Sequence, residues 1–305
     1  MQPKTAIPEI AIMVEGQMGL DWPRWKRMAR AVENLGFVGL YRSDHFTNPQ
    51  PPDEDSLEAW TSLVWLADNT ERIEFGPLVS PVSFRHPAML VRMAAAVQDL
   101  SGGRLTLGLG AGWMEREHEN YSYSLLDIPG RLKRFEEALI VITRLLAGER
   151  VTFSGEHYQF NDAILLPRPE QRIPILIGGN GLKRTPELVA RFADEWNGIY
   201  LTPERFAERS QRIDELLREH GRGPESVRRS IMTGLTFGHD DADVRRQLNG
   251  HSPDEARAAG RIVGTASEVR DQLAALAEVG VQRVMLQYLD YDDLSRLEAF
   301  AAAVL

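Results

Sequence analysis

The chain has 305 residues, 43% of them apolar, and a formal net charge of −9, which is enough apolar material for a substantial core and argues against general nucleic-acid binding. It contains no cysteine, which excludes disulfides, thiolate nucleophiles, iron–sulfur clusters and cysteine-ligated zinc. The N-terminal "MQPKTAIPEIAIMVEGQ" has no basic start followed by a long apolar region, and no window reaches 18 uninterrupted apolar residues. A cytoplasmic protein with neither leader nor membrane span is the expectation.

Short apolar runs alternate with amphipathic segments along the whole chain. "EIAIMV" (9–14) reads as a strand and "WPRWKRMARAVENLG" (22–36) as a helix stopped by Gly36. "FVGLYRS" (37–43) and "SLEAWTSLVWLADNT" (56–70) are the next strand and helix. "RIEFGPLVS" (72–80) is a third strand whose prolines at 77 and 81 predict an irregular end. A helix follows over "HPAMLVRMAAAVQDL" (86–100), with glycines just past it. "RLTLGLG" (104–110) is the fourth strand, and "RLKRFEEALIVITRLLAG" (131–148) its long helix.

The alternation then pauses. Residues 149–172 read as a hairpin and a proline-rich return. "IPILIGG" (173–179) and "TPELVARFA" (185–193) form the fifth pair, and "DEWNGIYL" (194–201) and "PERFAERSQRIDELLREHG" (203–221) the sixth. "VRRSIMTGLTFG" (227–238) is a seventh strand, followed by a charged stretch, 239–261, with no regular period. "ASEVRDQLAALAEVG" (266–280), "VQRVMLQYL" (281–289) and "DLSRLEAFAAAVL" (293–305) complete the pattern. Eight β-then-α units with no linker predict one (β/α)8 TIM barrel over 1–305, with insertions near 109–129, 147–172 and 239–262. Two doubly wound halves are the alternative.

A barrel directs attention to the C-terminal strand ends. Asp44 and His45 stand there in "YRSDHF"; an Asp can orient or charge a His that moves protons. The plainer reading makes Asp44 a cap and His45 a backbone-satisfied side chain. Arg85 and His86 precede a helix; Arg85 reads as solvated or as an anion ligand. In "GLGAGW", a dinucleotide fingerprint G-x-G-x-x-G fails in both frames, because its third glycine would fall on Trp113 or Glu115. Gly108, Gly110 and Gly112 therefore leave room for a flat ligand walled by Trp113, or else pack tightly inside the barrel. "GGNGLKRT" brings Gly178, Gly179, Asn180 and Gly181 to a helix start, a favourable phosphate site, with Lys183 and Arg184 adding charge. Glu115, Glu117 and His118 read as a polar loop or helical turn rather than a metal site, and no metal is expected. Trp60, Trp113 and Tyr41 are either core or an aromatic lining. Loops 46–56, 113–129 and 239–262 are expected to shape the substrate pocket.

These segments together, with "RLKRFEEALIVITRLLAGERVTFSGEHYQF" and "PILIGGNGLKRTPELVARFADEWN", resemble the bacterial luciferase-like superfamily, most closely its deazaflavin (coenzyme F420)-dependent oxidoreductases. The likeness persists weakly in "IVGTASEVRDQLAALAEVGVQRVML". It implies F420, or FMN in the alternative, in the barrel mouth, and a homodimer acting on a small molecule. It further implies His45 near the hydride-accepting carbon, paired with Asp44. A non-prolyl cis peptide at Leu78–Val79 would lie against the ring, with Gly178 and Gly179 at the phosphate. Lys183, Arg184 and Arg168 could serve the polyglutamyl tail of F420. In the sugar-phosphate dehydrogenases of this superfamily, an acid occupies the place of Trp113, so that substrate class is not expected. The alternative function is an FMN-dependent luciferase-like monooxygenase using reduced flavin and O2.

Overall fold

The computed structural model describes residues 7–305, so the first six residues, where the segment read for a leader begins, lie outside it. In chain order, β1 (Glu9–Val14), α1 (Trp22–Leu35), β2 (Gly39–Arg42) and α2 (Ala59–Asn69) come first. Then follow β3 (Glu74–Pro77), β4 (Ser80–Pro81), α3 (Pro87–Leu100), β5 (Leu107–Gly110), α4 (Glu115–Asn120) and α5 (Ile128–Leu146). The hairpin β6 (Val151–Ser154) and β7 (Gln159–Ala163) precedes β8 (Ile175–Gly178), α6 (Arg184–Phe192), β9 (Glu195–Ile199) and α7 (Pro203–Glu219). The chain ends with β10 (Arg228–Phe237), α8 (Asp241–Gln247), α9 (Pro253–Ala258), β11 (Ile262–Gly264), α10 (Ala266–Glu278), β12 (Arg283–Gln287) and α11 (Ser295–Val304).

The parallel sheet runs β3–β2–β1–β12–β10–β9–β8–β5–β4. It closes because β4 pairs with β5 through Ser80↔Leu109 and Pro81↔Gly110, while Phe75 of β3 bridges Leu105. With β3 and β4 counted as two halves of one interrupted stave, the barrel has eight, as the periodicity predicts. The interruption falls where the two prolines stand. Strands such as β1 and β5 are apolar and buried on both faces because helices cover them outside and side chains fill the interior. Helix ends follow local chemistry: Asp21 caps α1, and Gly36, at φ 89°, stops it.

The stretch 239–261 departs from the irregular reading. Asp240 caps α8, and Ser252 with Glu255 forms a capping box on α9. The signature S-x-x-E was present in the sequence, but these helices are too short for a visible apolar period. No helix among the described residues is long and apolar enough to cross a membrane.

The N-terminal end of the barrel is sealed by charge. Arg283, 1% exposed, donates Nη2 to Glu74 at 2.7 Å and Glu9 at 3.1 Å, and Nη1 to the Tyr41 hydroxyl at 2.7 Å. Glu195 lies 3.7 Å away, and burial pushes its carboxyl above the usual carboxylate range. Removing a cation from such a site leaves buried charge unpaired. Arg283→Met is expected to cost about 3–5 kcal/mol in chemical denaturation; a loss below about 1 kcal/mol would mean that the network carries no stability.

Candidate active site

With one end plugged, the opposite end opens into a cleft of about 660 Å³ at the C-terminal strand ends. Its floor comes from Met13 of β1, Val79 between β3 and β4, Gly178 of β8, Asn197 and Ile199 of β9, and Met232 of β10. The peptide between Leu78 and Val79 is cis, at the position that the resemblance implies, and both residues line the cleft. Gly110 ends β5, and the loop after it supplies a wall through Ala111, Gly112, Trp113 and Met114.

His45 lines this cleft from the end of β2. Its Nδ1 lies 2.8 Å from Glu117 Oε1, and the Phe46 N–H donates to Glu117 Oε2 at 3.0 Å. A carboxylate only accepts, so Nδ1 carries the proton and donates it, and Nε2 is left without a partner among the described residues. Burial opposes a charge on His45, but the hydrogen bond and charge of Glu117, with Glu15 and Asp44, outweigh it and hold the imidazole above its ordinary pKa. Glu117 is held in place by α4. The neighbouring His118 bonds the Met114 carbonyl through Nδ1 and the Ser83 hydroxyl through Nε2, at 2.7 and 2.8 Å. The run 115–120 is therefore the helical turn rather than the loop, and it brings a buried carboxylate to His45. Among the described residues no three His, Asp or Glu side chains gather in a metal-holding group.

Asp44 does not orient His45. It is buried and accepts from Ser80 at 2.7 Å and from Arg85, which also holds Glu58. Arg85 is thus paired rather than solvated. Ser80 in turn accepts from Trp60 Nε1, so Asp44 ties β2 to β4 behind the cleft instead of lining it. Trp60 and Tyr41 are core, whereas Trp113 is 59% exposed and meets His45 edge-on, with centroids 5.7 Å apart.

The glycines divide by function. A Cβ on Gly108 would stand 2.0 Å from the Pro77 carbonyl oxygen, so this residue is needed for packing and lies outside the cleft. A Cβ on Gly110 would come 2.6 Å from Val79 Cγ2, so Gly110 seats the Val79 wall. Gly110→Ala must displace that wall and is expected to lose about 1–3 kcal/mol of stability; thermal unfolding measures it. Gly112 (φ 85°) and Gly179 (φ 125°) adopt backbones that favour glycine, and a Cβ on Gly179 would meet only Thr185 Cγ2, at 3.9 Å.

Past Gly179, Asn180 is already engaged: its Nδ2 donates to the Ile199 carbonyl at 2.7 Å and its Oδ1 accepts from the Ile199 N–H at 2.9 Å. Gly181 packs on Thr185, and Arg184 pairs with Glu136, so neither they nor Asn180 line the cleft. No side chain caps α6, which leaves its first-turn N–H groups available beside Lys183. Arg168 is at the wrong end. It sits on the return into β8, against Gly148, and donates to the Ala147 carbonyl.

Several lining residues were missed. Glu15, just past β1, accepts from Gln17 at 3.0 Å and from Gln287 at 2.7 Å; Gln17 also accepts from Ser43, and Gln287 from Tyr200. The strand-end rule that found His45 also points to Glu15 and Gln287 when applied to β1 and β12. Loops 46–56 and 113–129 do reach the cleft, through Pro49, Trp113, Met114 and Glu117. The segment 239–262 does not; it lines a separate hollow with Thr236.

The family model for luciferase-like monooxygenases matches residues 10–261. The chain belongs to that family. Within reach of this luciferase-like barrel, an F420-dependent glucose-6-phosphate dehydrogenase of Microbacterium testaceum is 33% identical over 223 residues, 70% of this chain and 63% of that protein. Among solved structures, an F420-dependent secondary alcohol dehydrogenase in complex with an F420–acetone adduct superposes with a TM-score of 0.81 at 17% identity, covering 98% of this chain and 100% of the other. The oxygenating constituent of 3,6-diketocamphane monooxygenase from Pseudomonas putida, in complex with FMN, gives 0.79 at 16% identity, covering 98% and 97%. At these identities the superpositions establish the shared fold.

Proposed function

We propose that this luciferase-like barrel is an F420-dependent oxidoreductase that moves a hydride between the deazaflavin and a small organic substrate. The observation that carries the reading is His45, anchored at Nδ1 by a buried carboxylate, with Nε2 unpartnered on a mostly apolar cleft. The name of the Microbacterium relative favours F420 over FMN. The residues fit such a cofactor. Leu78 and Val79 offer an apolar wall, Glu15, Asn197 and Gln287 offer polar edges, and Gly179 and the open start of α6 suit a phosphate. When bound, F420 supplies the carbon that takes or gives the hydride, which no side chain can do. His45 holds the proton or charge at Nε2, and Glu117 sustains that charge.

Fluorescence titration of the purified protein with F420 and, separately, FMN tests the assignment. Binding of F420 at micromolar concentration, with FMN much weaker, is the expected result. Preference for FMN would point to the monooxygenase instead, and binding of neither would overturn both.

A further inference from the structure

The cleft has an inner floor of strand ends and an outer rim of loops, and the rim is apolar. Met18 follows β1, Pro49 follows β2, Trp113 follows β5 and Leu289 follows β12, and all four border the same opening. Met18, Trp113 and Leu289 are 37%, 59% and 39% exposed. Large apolar side chains left in water around one concavity mark a surface that a ligand covers.

Charge at the opening points the same way. Among the described residues no Lys or Arg lines the cleft, and its ionisable groups are His45, Glu15 and Glu117. Even with His45 protonated, one positive charge faces two carboxylates. Two arginines near the opening are paired with carboxylates: Arg85 holds Asp44 and Glu58, and Arg116 grips both oxygens of Asp53 at 2.7 Å. Arg131 donates to the Gly112 carbonyl at 3.3 Å and lines a separate hollow. A phosphorylated or carboxylated substrate held at this rim, away from the start of α6 that suits the cofactor's phosphate, would be stripped of water beside like charge with no lining cation to offset the loss.

From this we infer that the substrate is an uncharged, largely apolar molecule, unlike the sugar phosphate in the name of the Microbacterium relative. The inference rests on the cofactor reading for the reaction, but the rim and its charge stand without it.

The test compares binding of acetophenone, benzoate and glucose 6-phosphate by saturation-transfer NMR and calorimetry, with and without F420. Acetophenone should bind, and the two anions should bind at least about tenfold more weakly or not at all. Trp113→Ala should weaken acetophenone about tenfold, with circular dichroism confirming that the variant is folded. Equal or tighter binding of either anion overturns the proposal. So does failure of acetophenone to bind, or an unchanged affinity in the folded Trp113→Ala variant. Failure of F420 to bind in the same titrations sinks the cofactor reading separately and leaves the ranking of the three probes intact.

Discussion

Replacing His45 by alanine is expected to slow hydride transfer by about 10²–10⁴-fold while F420 affinity changes by no more than about threefold. The imidazole meets the cleft through one nitrogen, and its other nitrogen is committed to Glu117. The proposed cofactor contacts are instead spread over Leu78, Val79, Gly179 and the start of α6, so truncating one side chain at the rim should remove little of them. Single-turnover absorbance measures the transfer step, and fluorescence quenching the affinity. Parallel loss of both would remove the catalytic role of His45 and leave it a lining residue.

Glu117→Gln should lower the pKa of His45, and the sign follows from the balance at the site. Burial disfavours the imidazolium and is the largest influence; Glu117, aided by Glu15 and Asp44, overrides it. With the Glu117 charge gone, burial prevails, and the pH–rate limb that reports His45 should move to lower pH. Stability carries the same signature. Because the folded His45 pKa lies above the ordinary 6.5, the pairing stabilises the fold fully below that value. Its contribution is lost as pH rises through the raised, folded-state value, and the variant should show no such loss. A glutamine offers one oxygen where Glu117 accepts from both His45 and Phe46, so one partly buried donor goes unpaired at about 1 kcal/mol. NMR titration of the His45 ring protons and denaturant unfolding across pH measure both effects. An unchanged His45 pKa would show that Glu117 only positions the ring.

Much of this was legible because it is written locally. Eight repeats of a short apolar run and an amphipathic segment specify the barrel, since strand and helix periods are properties of neighbouring residues. The barrel in turn sends His45, Trp113, Gly178 and Gly179 to one rim. The prolines at 77 and 81 marked the break between β3 and β4, and the failed glycine frame excluded a dinucleotide loop. Short helices such as α8 and α9 were less legible, because six or seven residues hold barely two turns of period.

By itself, then, the sequence determined the stave count, the active end of the barrel and the histidine that faces it. Only the tertiary structure decided which carboxylate that histidine owns. Asp44 is adjacent in sequence, yet its oxygens go to Ser80 and Arg85, while the partner of His45 is 72 positions away on α4. It also decided that Gly108 serves packing and that Arg168 lies at the far end. Pattern reports which face a residue takes on its own element. Partnership depends on how separate elements are brought together, and burial, which gives the His45–Glu117 pair its strength, exists only after they close.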